Sequence, residues 1–507
     1  MSYQAFLDHF GAINDLLGAH SVLHWDALTM MPAGGVRARG RQRATLTVTA
    51  RDLLVSEATR CLLDAADSAT GNLPEDAPER RALAQTREAI AFHERVPSAL
   101  QHRRTTLMAS TYVAWAEARE RGDFAAYQPH LEQTLALTRE IADTIGWSGH
   151  PYDALVNIGE PGESRGSLKH LFGRLRAGLR PILEAVMAAP APRTDFLERD
   201  YPEEQQRRFS LKIAQKIGYD LDRGRLDPTV HPFAISFGRD DVRITTRYYR
   251  NFLPASIFGT LHETGHALYE MGVDAAYERT PLATDMPGLY PMAGTSFGAH
   301  ESQSRLWENH VGRSRRFWAL HFGPLRDLFP EQLADVDDEA FHRAVNRIKP
   351  GFIRVEADEL TYDFHIMLRV ELEEALINGD LAVKDLPGAW KEIMKRDLGV
   401  DVPNDRLGVL QDVHWSSGYI GTFCSYTIGN VMAAQLLETA HKDPAIEAGL
   451  EAGNYTPLRE WLIEHVHRHG RRFSRDELLI RATGRALDPE PYLAYLRGKY
   501  ATLYGFA

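Results

Sequence analysis

A mainly helical fold carrying one small sheet is what this chain of 507 residues predicts. Three observations lead there. Apolar residues recur at three- and four-residue spacing through most of the chain. β-type alternation is confined to one short stretch. The composition, 44% hydrophobic and 25% charged, is that of a globular protein able to bury a large core.

In chain order, the opening MSYQAFLDHFGAINDLLGAH is an amphipathic helix with acids in it. It lacks the basic and apolar regions of a signal peptide. Helical spacing continues at residues 84–96, 125–145, 166–188, 363–378 and 428–441. Loops with Pro and Gly fall at 71–79, 189–203 and 281–296, each too short for a flexible linker. At 233–249, FAISFGRDDVRITTRYY sets two β-rich runs around a Gly-Arg-Asp-Asp turn and predicts a hairpin. No internal repeat appears, and composition alone leaves the number of domains open.

Charge and cysteine content exclude several functions. The net charge is 58 − 69 = −11, which suits neither nucleic acid nor an anionic membrane surface. The basic run Arg313-Ser-Arg-Arg316 reads as one solvated helix face. Cys61 and Cys424 are too few and too distant for a disulfide framework or a thiolate metal site. No stretch reaches the ~18 consecutive apolar residues of a membrane span. A cytoplasmic protein is expected.

The chemistry concentrates at residues 260–270, TLHETGHALYE. On a helix His262 and His266 share a face and can hold one ion. Glu263 sits beside the first of them, where a carboxylate can act as general base on a bound water. The flanks Ile257, Phe258, Leu261, Ala267 and Leu268 are apolar. Burying two imidazoles and a carboxylate among them without purpose is costly. A catalytic zinc site needs a third protein ligand. Phe297-Gly-Ala-His300-Glu301-Ser302-Gln303 opens a helical run through Trp307, Val311 and Phe317. Glu301, one turn after Phe297, shares its inward stripe. The competing reading is a surface Glu301 paired with Arg305. Glu464-His465-Val-His467-Arg-His469 is richer in histidine but has no Glu after its first His. It runs into the exposed basic stretch Arg471-Arg472 and reads as a helix C-terminus.

Taken together, separated motifs resemble the carboxypeptidase Taq family of metallopeptidases. They are Trp25-Asp26-x-x-Thr29-x-Met31-Pro32, Asp222-Arg223-Gly224, His231-Pro232-Phe233, Asp241-x-Arg243-x-Thr245 and His262-Glu263-Thr-Gly-His266. Further on come His300-Glu301-Ser302-Gln303, Ile353-Arg354-Val-Glu-Ala357-Asp358, Gly408-Val-Leu-Gln411-Asp412-Val-His414-Trp415 and Ala482-Thr483-Gly484. The resemblance implies one catalytic domain over residues 1–507. Its fold would be helical and cleft-shaped with a small sheet on one wall, similar to angiotensin-converting enzyme and neurolysin. Helices up to about residue 120 would cover the cleft. It also implies a homodimeric, metal-dependent carboxypeptidase acting on peptides. His262, His266 and Glu301 would be the ligands and Glu263 the base, with zinc bound and cobalt able to replace it.

One departure stands out: where the family carries Gly-Tyr-Phe-Pro-Ser/Thr-Tyr, this chain reads Gly421-Thr422-Phe423-Cys424-Ser425-Tyr426. Thr422 replaces a tyrosine, which leaves Tyr426 and Tyr419 as candidate hydroxyl donors. His231 and His414 resemble two histidines lining the peptide groove of angiotensin-converting enzyme. A free C-terminal carboxylate calls for a buried arginine fork. Arg354 is the first choice, with Arg223 and Arg243 behind it. The alternative for Arg354 is a fixed salt bridge to Glu356, Asp358 or another acid. Nothing marks a charged specificity pocket, so broad side-chain tolerance is expected. Two other functions stay open: an inactive peptide-binding scaffold of the same fold, and an oligopeptidase cutting internally.

Overall fold

The five stretches of helical spacing at 84–96, 125–145, 166–188, 363–378 and 428–441 are all helices in the computed structural model, with ends moved by a few residues. They are Pro78–Arg95, Phe124–Ile145, Arg165–Ala188, Tyr362–Asn378 and Cys424–Ala440. Residues 2–289 and 293–506 are described. Residues 290–292, inside the predicted loop 281–296, lie outside them, as do the first and last residues of the predicted domain. Twenty α-helices occur among the described residues, and none is long and apolar enough to cross a membrane. Local chemistry sets their ends. Asp123 accepts from the Ala126 amide at one start, and Ser164 and Ser167 form a reciprocal capping box at another.

Chain contacts define two compact units, each built from three stretches. The first comprises Met1–His93, Pro192–Val345 and Gly429–Asp488; the second comprises Glu94–Ala191, Asn346–Ile428 and Pro489–Ala507.

In the first unit, the predicted N-terminal helix runs from Tyr3 to Thr29. Phe6, Phe10, Ile13 and Leu17 form its buried stripe, against Ala50, Leu54 and Leu63. The predicted hairpin is β2 (Ala234–Gly238) and β3 (Asp241–Thr246), with β1 (Leu226–Pro228) parallel on the other side of β3. β1 escaped prediction because three residues ending in Pro228 are too few to show alternation. The helix Leu253–Gly272 lies on this sheet, burying Ala267 and Met271 with Val242 and Ile244.

Two sequence expectations need correction here. The helical run expected through Phe317 is broken. Phe297–Arg305 continues as a π-helix over Leu306–Val311, and a new helix, Arg315–Leu328, is capped by Ser314. Nor is Arg313–Arg316 one solvated face. Arg313 is half-buried, its guanidinium donating to the Val345 carbonyl at 2.6 Å and to Glu308 at 3.3 Å.

In the second unit, the helix Tyr362–Asn378 is buried on nearly every face. Its Glu373 carboxylate accepts from Tyr152 Oη and Trp415 Nε1, each at 2.8 Å, and from the Gly421 amide at 3.0 Å. One carboxylate thus ties together three chain segments.

Candidate active site

The helix Leu253–Gly272 presents His262, Glu263 and His266, and Phe297–Arg305 presents Glu301. The two helices approach closely because Gly265 has no side chain. A Cβ there would stand 2.4 Å from the Gln303 carbonyl oxygen and 2.6 Å from Ser304 Cα. Gly429 clears the other side of Glu301, since a Cβ there would meet Glu301 Cγ at 2.6 Å. The glutamate's burial does not come from sharing a stripe with Phe297, as the spacing suggested. Phe297 is only half-buried, whereas Gly298 to Ser304 are all buried.

Nε2 of His262 and of His266 lie 3.7 and 3.3 Å from Glu301 Oε2. Among the described residues this is the one group of three whose ligand atoms converge within 4.8 Å. Two donors about 2.0–2.1 Å from one tetrahedral ion stand roughly 3.4 Å apart, so the residues fit a divalent metal. The pair Glu301–Arg305 exists as well: Arg305 Nε donates to Oε1 at 2.7 Å. It occupies the far oxygen and leaves Oε2 to the histidines, so the pairing is compatible with a ligand role, whereas the expected surface position is not found: Glu301 is buried.

Each imidazole is held at its other nitrogen. His262 Nδ1 is 2.9 Å from Glu308 Oε2. Glu308 lies on the π-turn, and such turns recur at functional sites. Its charge is matched by Arg305 and Arg313, each at 3.3 Å. His266 Nδ1 is 2.6 Å from His300 Nδ1, and His300 Nε2 is 2.7 Å from Glu270 Oε1. Sequence reasoning assigned no role to Glu308, His300 or Glu270. The signal for Glu270 was present: it lies four residues after His266, on the same helix face.

Electrostatics separate the two histidines. Burial lowers the His262 pKa, but Glu301 and Glu308 outweigh it and bring the group to about 9. Burial together with His300 drives His266 down to about 3. Burial pushes Glu263 up to about 7, against the pull of His262 and a backbone hydrogen bond from Ala234, the first residue of β2. Burial raises Glu301 too, yet Arg305 and the histidines hold it well below the usual carboxylate range.

The remaining expected residues fall in different places. His231 is exposed in the turn before β2. Arg354, His414 and Tyr426 meet in the second unit. Arg354 is buried and donates from Nε and Nη2 to Asp412 Oδ1 at 3.0 and 2.9 Å, and from Nη1 to Tyr362 Oη at 2.9 Å. The salt bridge that stood as the alternative for Arg354 is therefore present, and its acid is Asp412 rather than Glu356 or Asp358. Arg369 donates to Asp412 Oδ2 at 2.6 Å. Two guanidiniums share one carboxylate, leaving an excess positive charge. His414 Nε2 lies 3.2 Å from Tyr426 Oη, and the Arg354 guanidinium lies 5.0 Å from the Tyr426 ring. Tyr419 is exposed, and its backbone amide donates to the His414 carbonyl at 2.9 Å. Arg223 and Arg243 are committed to structure. Arg223 bonds Asp240 and the Arg239 and Met271 carbonyls; Arg243 bonds Asp241 and stacks on Trp25 and Phe237.

The second histidine cluster does end a helix, at His465, but the basic stretch Arg471-Arg472 after it is half-buried and not exposed. His467 is fully buried with Nε2 2.8 Å from Gln303 Oε1, and Arg471 donates to the Gly294 carbonyl at 2.6 Å.

A family model described as carboxypeptidase Taq (M32) metallopeptidase matches residues 5–500. Thermostable carboxypeptidase 1 of Thermus thermophilus is 40% identical over 518 residues, covering 99% of each chain. Carboxypeptidase 1 of Bacillus subtilis is 37% identical over 501 residues, covering 98% of each. The crystal structure of an M32 carboxypeptidase from Deinococcus radiodurans superposes with a TM-score of 0.94 at 43% identity over 99% of both chains.

Proposed function

Since the chain belongs to the carboxypeptidase Taq (M32) metallopeptidase family, we propose that it is a carboxypeptidase of broad specificity releasing single residues from the C-termini of peptides. The observation that carries this reading is the convergence of His262, His266 and Glu301 beside Glu263. A divalent ion held by those three side chains, zinc or cobalt by its N2O donor set, supplies polarisation of the scissile carbonyl and a more acidic water. Glu263 takes the proton of the attacking water and passes it to the leaving amine. Its burial keeps bulk water from competing for that proton. Arg354, with the excess positive charge it shares with Arg369, pairs the substrate's free carboxylate. His414, Tyr426, Tyr419 and His231 complete the peptide contacts.

The same reading takes residues 1–507 as one catalytic domain with the architecture of angiotensin-converting enzyme and neurolysin, its N-terminal helices to about residue 120 covering the substrate. It also takes the active form as a cytoplasmic homodimer. Mass spectrometry of one peptide as free acid and as C-terminal amide, with added zinc or cobalt, tests the activity. Stepwise loss of residues from the acid alone is expected. Fragments from internal bonds would make the protein an oligopeptidase, and binding without cleavage would make it a scaffold. Thr422, in place of the family tyrosine, is the feature that favours the scaffold.

A further inference from the structure

We propose that His300 and Glu270 are positioning residues that fix the tautomer of His266; the proposal rests on the reading of His262, His266 and Glu301 as metal ligands. The geometry leaves little freedom. The Nδ1 atoms of His266 and His300 are 2.6 Å apart. Rings stacked at van der Waals separation cannot bring two atoms so close. With planes 18° apart and centroids 4.6 Å apart, the two imidazoles meet edge to edge and not face to face. One nitrogen must therefore donate and the other accept.

The direction follows from the ligand role. His266 turns Nε2 toward Glu301, and a ligand atom needs its lone pair. Its proton is then on Nδ1, which donates to His300 Nδ1. His300 in turn carries its proton on Nε2, 2.7 Å from Glu270 Oε1. Glu270 is itself anchored, its two oxygens accepting from the Ala293 amide at 2.9 and 3.2 Å. Moving any one proton along this chain sets two lone pairs, or two N–H groups, against each other. The Tyr269 ring lies nearly parallel to His300, at 5.3 Å and 20°, and packs against it.

The arrangement makes the two ligand histidines unequal. His262 has a carboxylate directly on Nδ1, while His266 reaches its carboxylate through a neutral imidazole. A direct carboxylate raises ligand basicity more than an interposed ring does. His262 thus anchors the ion, and the His300–Glu270 pair orients His266 without adding a third full charge beside Glu263.

The test uses the full chain stripped of metal. Zinc is titrated against a chromophoric chelator for wild type, His300→Leu, His300→Gln and Glu270→Gln. In His300→Gln the amide oxygen can accept from His266 and the amide nitrogen can donate to Glu270. Expected are a ten- to hundredfold loss of zinc affinity in His300→Leu and Glu270→Gln, and recovery to within severalfold of wild type in His300→Gln. In the cobalt-loaded protein, two ion-shifted, solvent-exchangeable imidazole N–H proton signals are expected for wild type and one for His300→Leu. Affinity within twofold of wild type in His300→Leu, with both signals kept, overturns the proposal. So does a His300→Gln protein as weak as His300→Leu whose metal-free melting temperature falls equally, since packing alone would explain it. Should His300→Leu fail to fold, Glu270→Gln decides: unchanged affinity there refutes the relay. A wild-type chain that takes up no zinc refutes the ligand set itself, a different failure.

Discussion

Glu263 and Glu373 are both carboxylates buried to 6% exposure or less, yet their surroundings give them different tasks. Glu263 lies beside the proposed metal ligands and has a backbone hydrogen bond from Ala234, which suits the proposed giving and taking of a proton. Glu263→Gln should keep about one metal ion per chain and lose on the order of a thousandfold or more in kcat; metal analysis beside peptide hydrolysis checks it. His262→Ala, measured the same way, should lose the ion itself. Glu373 faces three donors and has a structural role. Glu373→Gln turns an amide N–H toward one of them and should cost ~1–3 kcal/mol of stability. Its pH dependence has a definite sign. Burial pushes the Glu373 carboxyl from 4.5 up to about 7, with Tyr152, Trp415 and the Gly421 amide pulling back. The folded state therefore holds the proton more tightly than the unfolded chain. The associated stability is fully present below pH 4.5 and is lost as pH rises through 7. Urea unfolding at pH 5 and pH 8 should show the deficit of Glu373→Gln narrowing at the higher pH. Of these residues the sequence revealed the ones with a fixed spacing: His262, Glu263 and His266. The supporting acids were hidden for different reasons. Glu308 depends on a π-turn that no spacing announces, and Asp412 reaches Arg354 from 58 residues away.

At the scale of elements, the site is a crossing of two helices that glycines allow to touch. Gly265→Ala places a methyl 2.4 Å from a carbonyl oxygen. Backbone must shift, at a cost of ~1–3 kcal/mol, and Glu301 shifts with it. Weaker zinc binding should accompany a lower melting temperature in this variant, even though no ligand is changed. Titration beside thermal unfolding measures both. Long amphipathic helices and the hairpin were legible because apolar spacing and turn residues act locally. The π-turn, the break before Ser314 and the parallel strand β1 were not. Each is imposed by neighbours: the crossing at Gly265, the commitment of Arg313 to Glu308 and Val345, and the register of β3. Arg471 misled for the same reason, as its partner is the carbonyl of Gly294, 177 residues back in the chain.

At the scale of the molecule, the three candidate ligand side chains and Glu263 all belong to the first unit. Removing metal with a chelator should therefore act unevenly. Amide hydrogen exchange should quicken in Leu253–Gly272 and Phe297–Val311, while the core of Tyr362–Asn378 keeps its protection. Bound metal at a hundred times its Kd adds about 2.7 kcal/mol to whatever opening releases it. The first unit also depends on its last stretch of chain. Gly429 flanks Glu301, and His467 bonds Gln303 across 164 residues. During synthesis at ~5–20 residues per second, the two histidines and Glu301 leave the ribosome roughly 10–30 s before the segment that backs them. A newborn chain therefore carries the candidate metal-binding residues for that interval without the segment that backs them. A stalled chain ending before Gly429 should bind zinc more weakly than the released protein, as a late metal loading of the proposed site requires.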